Sequence, residues 1–162
     1  MNGEQVELKH PMSRQSEASQ RCRSCCVNLR LEPVGALVRI TGTAQLRSLV
    51  FCILTTLKHI HEHDFVHRDI RLDNVIKVTN GWLLIDWELA GRTNQLVWWE
   101  GKLLPDAVRH RIEPYTCITD LWQLGMLIKT AAVCADVAIT SFADRLLDGG
   151  FATEALAQAS LW

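Results

Sequence analysis

From Ala44 to His63 the apolar residues Leu46, Leu49, Val50, Ile53, Leu54, Leu57 and Ile60 recur at steps of three and four. That spacing gathers them on one face and predicts an amphipathic helix. The run "ITDLWQLGMLIKTAAVCA" (118–135) predicts a second, more apolar helix. "SFADRLLDGGFATEALAQASLW" (141–162) predicts a helix, a Gly-Gly break and a short final helix capped near Thr153. Elsewhere the period changes. "VGALVRI" (34–40) is a short β-like run ended by the turn residues Thr41-Gly42-Thr43. "VIKV" (75–78) and "WLLID" (82–86) flank Asn80-Gly81, a strong hairpin signal. Residues 87–117, with Trp98, Trp99, Pro105 and Pro114, form a long irregular segment, and such loops inside compact domains are usually functional. Residues 1–30 are rich in Ser, Gln, Arg and Glu without any sustained period, and read as a poorly structured tail.

At 162 residues the chain can form one domain with a sizeable core. The elements place it in the α+β class, mainly helical with a small hairpin. Seventeen basic residues against 18 acidic ones give a net charge of −1, and therefore no reason to expect nucleic acid or an anionic membrane as partner. The apolar run around Leu49–Leu57 is too short to span a bilayer, and "MNGEQVELKH" lacks the apolar core of a signal peptide. The expectation is a cytoplasmic protein, with the nucleus as alternative, and reduced thiols. Cys52, Cys117 and Cys134 sit in apolar helical patterns as small hydrophobes. Cys22, Cys25 and Cys26 form one CxxCC group, short of the four ligands a structural zinc site requires.

The chemistry concentrates in "HEHDFVHRDIRLDNVI" (61–76). If the hairpin turns on Asn80-Gly81 with a two-residue loop, Thr79 pairs with Trp82 and Val75 with Asp86. Asn74 then stands beside the end of the strand that delivers Asp86. Cross-strand neighbours lie about 4.5–5.5 Å apart, close enough for two oxygen-bearing side chains to share a hard cation. Asp69, five residues upstream on the loop, reaches the same place.

The order Asp-x4-Asn, strand, turn, strand, Asp matches the template of protein kinases. "VHRDIRLDN", "LLIDWELAG" and "DLWQLG" resemble the C-terminal lobe of a eukaryotic-type protein kinase, over roughly residues 31–162. The flavour is closest to divergent kinase-like domains of fungi and oomycetes. The resemblance implies a kinase-like C-lobe, with Asp69 as the catalytic base and Arg71 where the family has a phosphate-contacting Lys. Asn74 and Asp86 become Mg²⁺ ligands, and Asp86 and Arg71 hold ATP. His67 anchors the loop, Arg68 reads the activation segment, and Asp120 holds the loop backbone. Thr93 is a candidate phosphorylation site in that segment.

The sequence departs from the family in two ways. Trp87-Glu88 replace the Phe-Gly that follow the metal-binding Asp, and Gly tolerates backbone angles that Glu does not. The small lobe needs roughly 40 residues of strand and helix before loops are counted. Residues 1–30 hold one lysine, Lys9, and no G-x-G-x-x-G, so the N-lobe reads as largely missing. The implied function is ATP- and Mg²⁺-dependent phosphoryl transfer to a Ser, Thr or Tyr hydroxyl of a protein substrate, by a truncated kinase. The alternative is a catalytically inactive pseudokinase-type binding module. Without the small lobe, Trp82, Trp87, Trp98 and Trp99 are candidates for exposure. The histidines of "HIHEHDFVH" superficially suggest a zinc peptidase, but His59 and His61 point about 200° apart on a helix and cannot share one ion.

Overall fold

A computed structural model describes residues 35–37, 39–99, 101, 103–131, 136–151 and 153. The N-terminal tail, the CxxCC group, Cys134 and the helix expected beyond Thr153 lie outside the described residues. In chain order the elements are β1 (Ala36–Leu37), α1 (Thr43–His61), β2 (Phe65–Val66), β3 (Val75–Val78), β4 (Gly81–Leu84), β5 (Gly91–Arg92), α2 (Asp106–Arg109), α3 (Cys117–Ala131) and α4 (Val137–Leu147). A single 3₁₀ turn, Leu72–Asn74, precedes β3. The result is a small α+β domain in which helices outweigh two small antiparallel sheets.

The stripe on α1 is buried as its period demands, with Leu46, Leu49, Val50, Ile53, Leu54 and Leu57 all inaccessible. Each such burial contributes about 1.5–3 kcal/mol. They pack against Leu121, Leu124, Leu127 and Ile128 of α3, and Ile139, Phe142 and Leu146 of α4. Val75 and Leu84, the inward residues of the hairpin, close the same core. A satellite cluster of Val66, Val97, Leu104, Val108 and Tyr115 lies beneath the long irregular segment. That segment contains β5, α2 and a Gln95–Tyr115 bridge. Helix α4 begins at Val137, four residues before the expected start. Asp136 caps it, its carboxylate accepting from the Ile139 amide at 2.9 Å. Among the described residues no helix is long and apolar enough to cross a membrane.

The hairpin register differs from the expected one. Val75 pairs with Leu84, Ile76 with Leu83, Lys77 with Trp82 and Val78 with Gly81, so the loop is Thr79-Asn80. A type I′ turn on Asn80-Gly81 needs positive φ at both residues. Of the two only Gly81 has it, at φ +147°, and Gly81 opens β4 instead of sitting in the turn. Asp86 is therefore not opposite Val75 but lies beyond the strand. One further ladder bond, Ile85 N–H to Asn74 C=O at 2.9 Å, keeps Asn74 next to the chain that leads into Asp86.

Candidate active site

Helix α1 runs out at His61, and a turn through Asp64 (φ +61°) reverses the chain into β2. The loop that follows, residues 67–74, is fixed from below by α3. Asp120, fully buried one turn into α3, accepts from the backbone amides of His67 (2.8 Å to Oδ2) and Arg68 (2.9 Å to Oδ1). The same carboxylate accepts from the Tyr115 hydroxyl at 2.5 Å and meets His61 Nε2 at 2.8 Å. Three residues on, Gln123 faces the loop too. Its Oε1 accepts from Ile70 N–H (2.9 Å), while Nε2 donates to the carbonyls of Arg68 (3.0 Å) and Leu103 (2.9 Å). Positions i and i+3 share a helix face, so one face of α3 holds both the loop and the irregular segment.

His67 is fully buried. Its Nε2 donates to the Ile85 carbonyl at 3.1 Å, and Nδ1 accepts from the Asp69 amide at 3.3 Å. This pins the tautomer and ties the loop to the hairpin. Burial lowers the pKa of His67 despite the opposing pull of Asp120, the Ile85 carbonyl, Asp69 and Asp86, so the ring is neutral near pH 7. Burial also lifts the Tyr115 hydroxyl well above its ordinary range, with the Asp120 carboxylate adding to the effect.

These supports present Asp69 at the surface of a cleft of about 430 Å³, whose walls include Arg71, Leu89, Trp99, Leu104 and Gln123. The Asp69 carboxylate is 22% exposed. The Asn74 side-chain amide donates to both Asp69 Oδ2 (2.7 Å) and Asp69 C=O (2.9 Å), and Arg71 Nε lies 3.3 Å from Oδ2. Asn74 is buried and Arg71 exposed. Asn74 spends its N–H₂ on Asp69 and so keeps its carbonyl oxygen for another partner. Asp86 is exposed in the left-handed conformation at φ +64°, which Asp tolerates better than most residues. Because that left-handed residue is Asp86 and not Glu88, Glu88 carries no backbone penalty. Trp87 is 43% exposed rather than seated in an apolar slot, its indole edge-on to His67 at 4.6 Å. Trp98 is 72% exposed, while Trp82 and Trp99 are half-buried.

The structure thus brings Asp69, Arg71 and Asn74 into direct contact and sets His67, Arg68 and Asp120 beneath them. Asp86 is joined to the group through the Ile85–Asn74 backbone bond. Three members of the support were not read as such from the sequence: His61, Tyr115 and Gln123. Gln123 alone left a trace, as a polar residue at a core-facing position of "DLWQLG". The histidines at the end of α1 and in the turn after it go separate ways, His61 to Asp120 and His63 against the ring and carbonyl of His59. Among the described residues no three His, Cys, Asp or Glu side chains converge as a metal site. A cation here would rest on Asn74 and Asp86, together with oxygens of its own ligand and water, a set suited to a hard ion such as Mg²⁺.

No protein-family model matches the chain. It is 30% identical over 132 residues to Crinkler effector protein 8 of Phytophthora infestans, a match covering 75% of this chain and 22% of the effector. It is 29% identical over 84 residues to the serine/threonine-protein kinase SCH9 of Candida albicans, covering 47% of this chain and 10% of that kinase. Over 112 residues it is 29% identical to mitogen-activated protein kinase kinase kinase 1 of Arabidopsis thaliana, covering 62% of this chain and 18% of the relative. The chain spans less than a quarter of the length of each of these relatives. These partial matches support a kinase-like relationship for the chain.

Proposed function

We propose that residues 31–162 are a protein kinase-like C-lobe whose loop is arranged for ATP- and Mg²⁺-dependent phosphoryl transfer to a Ser, Thr or Tyr hydroxyl of a protein. The observation that carries this reading is the Asp69 carboxylate, accessible at a cleft yet held by Asn74 at 2.7 Å on a loop anchored to buried Asp120. In that role Asp69 takes the proton of the substrate hydroxyl. Arg71, paired with Asp69 and exposed, is placed to swing onto a phosphate, as a planar fork where a Lys would act as a point charge. The free carbonyl oxygen of Asn74 and the exposed Asp86 carboxylate fit the oxygen donors that Mg²⁺ prefers. When bound, the ion neutralises charge on the phosphates. Crinkler effector protein 8 and SCH9, from Phytophthora infestans and Candida albicans, are in keeping with a place among divergent oomycete and fungal kinase-like domains.

A second reading, a pseudokinase-type module that binds without turnover, is favoured by one feature. Residues 1–30 carry no glycine-rich loop and only Lys9. Positioning of the phosphates is most of what a kinase supplies, and residues 1–162 by themselves offer only the Asp69, Arg71, Asn74 and Asp86 share of it. A thermal-shift titration with ATP and Mg²⁺, beside Asp86→Ala, separates the readings. Phosphotransfer predicts a metal-dependent rise in melting temperature that Asp86→Ala abolishes, with label reaching a generic protein acceptor and lost in Asp69→Asn. A cooperative melt that nucleotide does not move sinks the nucleotide reading and leaves the binding module.

A further inference from the structure

Arg68 carries a charge where charges are costly. It is 5% exposed, and its backbone is left-handed at φ +76°. The guanidinium reaches out of the loop into the irregular segment. Nη2 donates to the Arg92 carbonyl at 2.7 Å and to Gln95 Oε1 at 2.8 Å, and Nη1 reaches the Leu89 carbonyl at 3.4 Å. The Trp99 and Tyr115 rings flank the cation, with centroids 5.4 and 5.9 Å from Cζ. Nε is buried with no partner among the described residues. Among the described residues every hydrogen-bond acceptor of this cation is neutral.

Gly91 makes the arrangement possible by its lack of bulk. A Cβ there would stand 2.7 Å from Nη1 and 3.0 Å from Cζ, so any side chain at 91 displaces the guanidinium. The segment the cation grips is also tied at its own amides, Thr93 to the Asp64 carbonyl (3.0 Å) and Asn94 to the Tyr115 carbonyl (2.8 Å). Thr93, the one threonine of this stretch, is half-buried, with its hydroxyl 4.0 Å from Cys117 Sγ.

We propose that Arg68, Gly91, Gln95 and Trp99 form a self-sufficient clamp that orders residues 89–95 without a phosphate on Thr93. A phosphate is a far stronger acceptor for arginine than a carbonyl. Nη2, however, is already filled by the Arg92 and Gln95 oxygens, so a phosphate drawing on it from the cleft must displace them. Phosphorylation therefore competes with the clamp and does not complete it. The relevance of this order to catalysis rests on the phosphotransfer reading above, but the order itself does not.

The test is amide hydrogen exchange, resolved by residue, on bacterially expressed chain shown by intact mass to be unphosphorylated. The Thr93 and Asn94 amides should be protected in that material. Gly91→Ala and Arg68→Met should each speed their exchange at least about tenfold, the loss of one charge-assisted bond, while core amides of α1 and α3 stay protected. If Arg68→Met unfolds the chain, Gly91→Ala and Gln95→Ala read the clamp more gently. The proposal falls if the two amides exchange freely in the unmodified chain and become protected only with phosphate or Thr93→Glu. It falls equally if Gly91→Ala leaves them unchanged. Nucleotide and turnover enter none of these readouts, so failure of the phosphotransfer reading is told apart from failure of the clamp.

Discussion

Asp120→Asn is nearly isosteric, which makes it a sharp test of the anchor beneath the loop. The carboxylate takes four donors, two on each oxygen. Oδ1 receives Arg68 N–H and the Tyr115 hydroxyl, while Oδ2 receives His67 N–H and His61 Nε2. An amide must point its N–H₂ at one of these pairs. The Tyr115 hydroxyl can rotate to become an acceptor, and the His61 ring can change tautomer and do the same. A backbone N–H can do neither. Either orientation of the introduced amide therefore leaves one buried backbone donor facing another donor, and the remaining bonds lose their charge assistance.

A hydrogen bond to a charged group contributes about 1.5–3 kcal/mol, and an orphaned buried donor costs about 1–3 kcal/mol more. The expected loss is about 3–5 kcal/mol, a large share of the 5–15 kcal/mol typical of a domain. In urea unfolding with a slope near 1.5 kcal/mol/M, the midpoint falls by about 2–3 M at unchanged slope. Tyr115→Phe removes one donor of four and should cost only about 1–2 kcal/mol. Because the two share a bond, the double variant should lose less than the sum. An Asp120→Asn variant within about 1 kcal/mol of the parent would refute the reasoning, since no rearrangement of Tyr115 or His61 relieves a backbone amide.

Three further outcomes follow from the same geometry. His67 is buried neutral with its pKa lowered, so the unfolded chain takes up a proton that the folded chain refuses. Stability from this ring is full above its ordinary pKa of about 6.5 and declines as pH falls below it, by at most about 1.4 kcal/mol per pH unit; melting curves from pH 7.5 to 5 should show a shallower decline in His67→Gln. Leu54→Ala, at a fully buried position of α1, should cost about 2–5 kcal/mol in the same urea assay. At Gly125 a Cβ would lie 3.1 Å from the Ala143 carbonyl and 3.0 Å from Leu147 Cγ, so Gly125→Val should wedge α3 from α4 and cost about 1–3 kcal/mol.

The helices were legible because their signal is local. Seven residues of α1 recur with the helical period, and all but Ile60 are fully buried. The start of α4 was missed because its cap, Asp136, sits next to residues without a clear stripe, and the period becomes visible only from Ile139 onward. The hairpin was legible as a hairpin but not in register. Asn-Gly signals a turn, yet which residues occupy its corners depends on where the glycine spends its positive φ, and strand pairing decides that. Asp69, Asn74 and Asp120 could be singled out because their order along the chain matches a template. His61, Tyr115 and Gln123 come together only through tertiary folding. No local pattern marks a tyrosine at the end of a loop as the donor to a carboxylate five residues on.

That division has a consequence for the site. Among the described residues, the polar contacts that fix the loop lie between His61 and Gln123: the Asp120 and Gln123 side chains, the Ile85 carbonyl, the Tyr115 hydroxyl and the Arg68 bonds to residues 89–95. The proposed base and its orientation are thus set inside the helical domain. The proposed grip on nucleotide has less support, since it rests on Asn74, Asp86 and Arg71, of which Asp86 and Arg71 are exposed. Asp120→Asn should therefore disorder the loop and lower stability. Asp86→Asn should instead leave the stability of the free chain unchanged within about 0.5 kcal/mol, because the side chain is exposed and Asn tolerates the left-handed backbone as Asp does. Heteronuclear spectra of the two variants would separate the effects. If Asp86→Asn shifts the His67 and Arg68 amides as far as Asp120→Asn does, the loop is not held from below, and its geometry depends on the very site it supports.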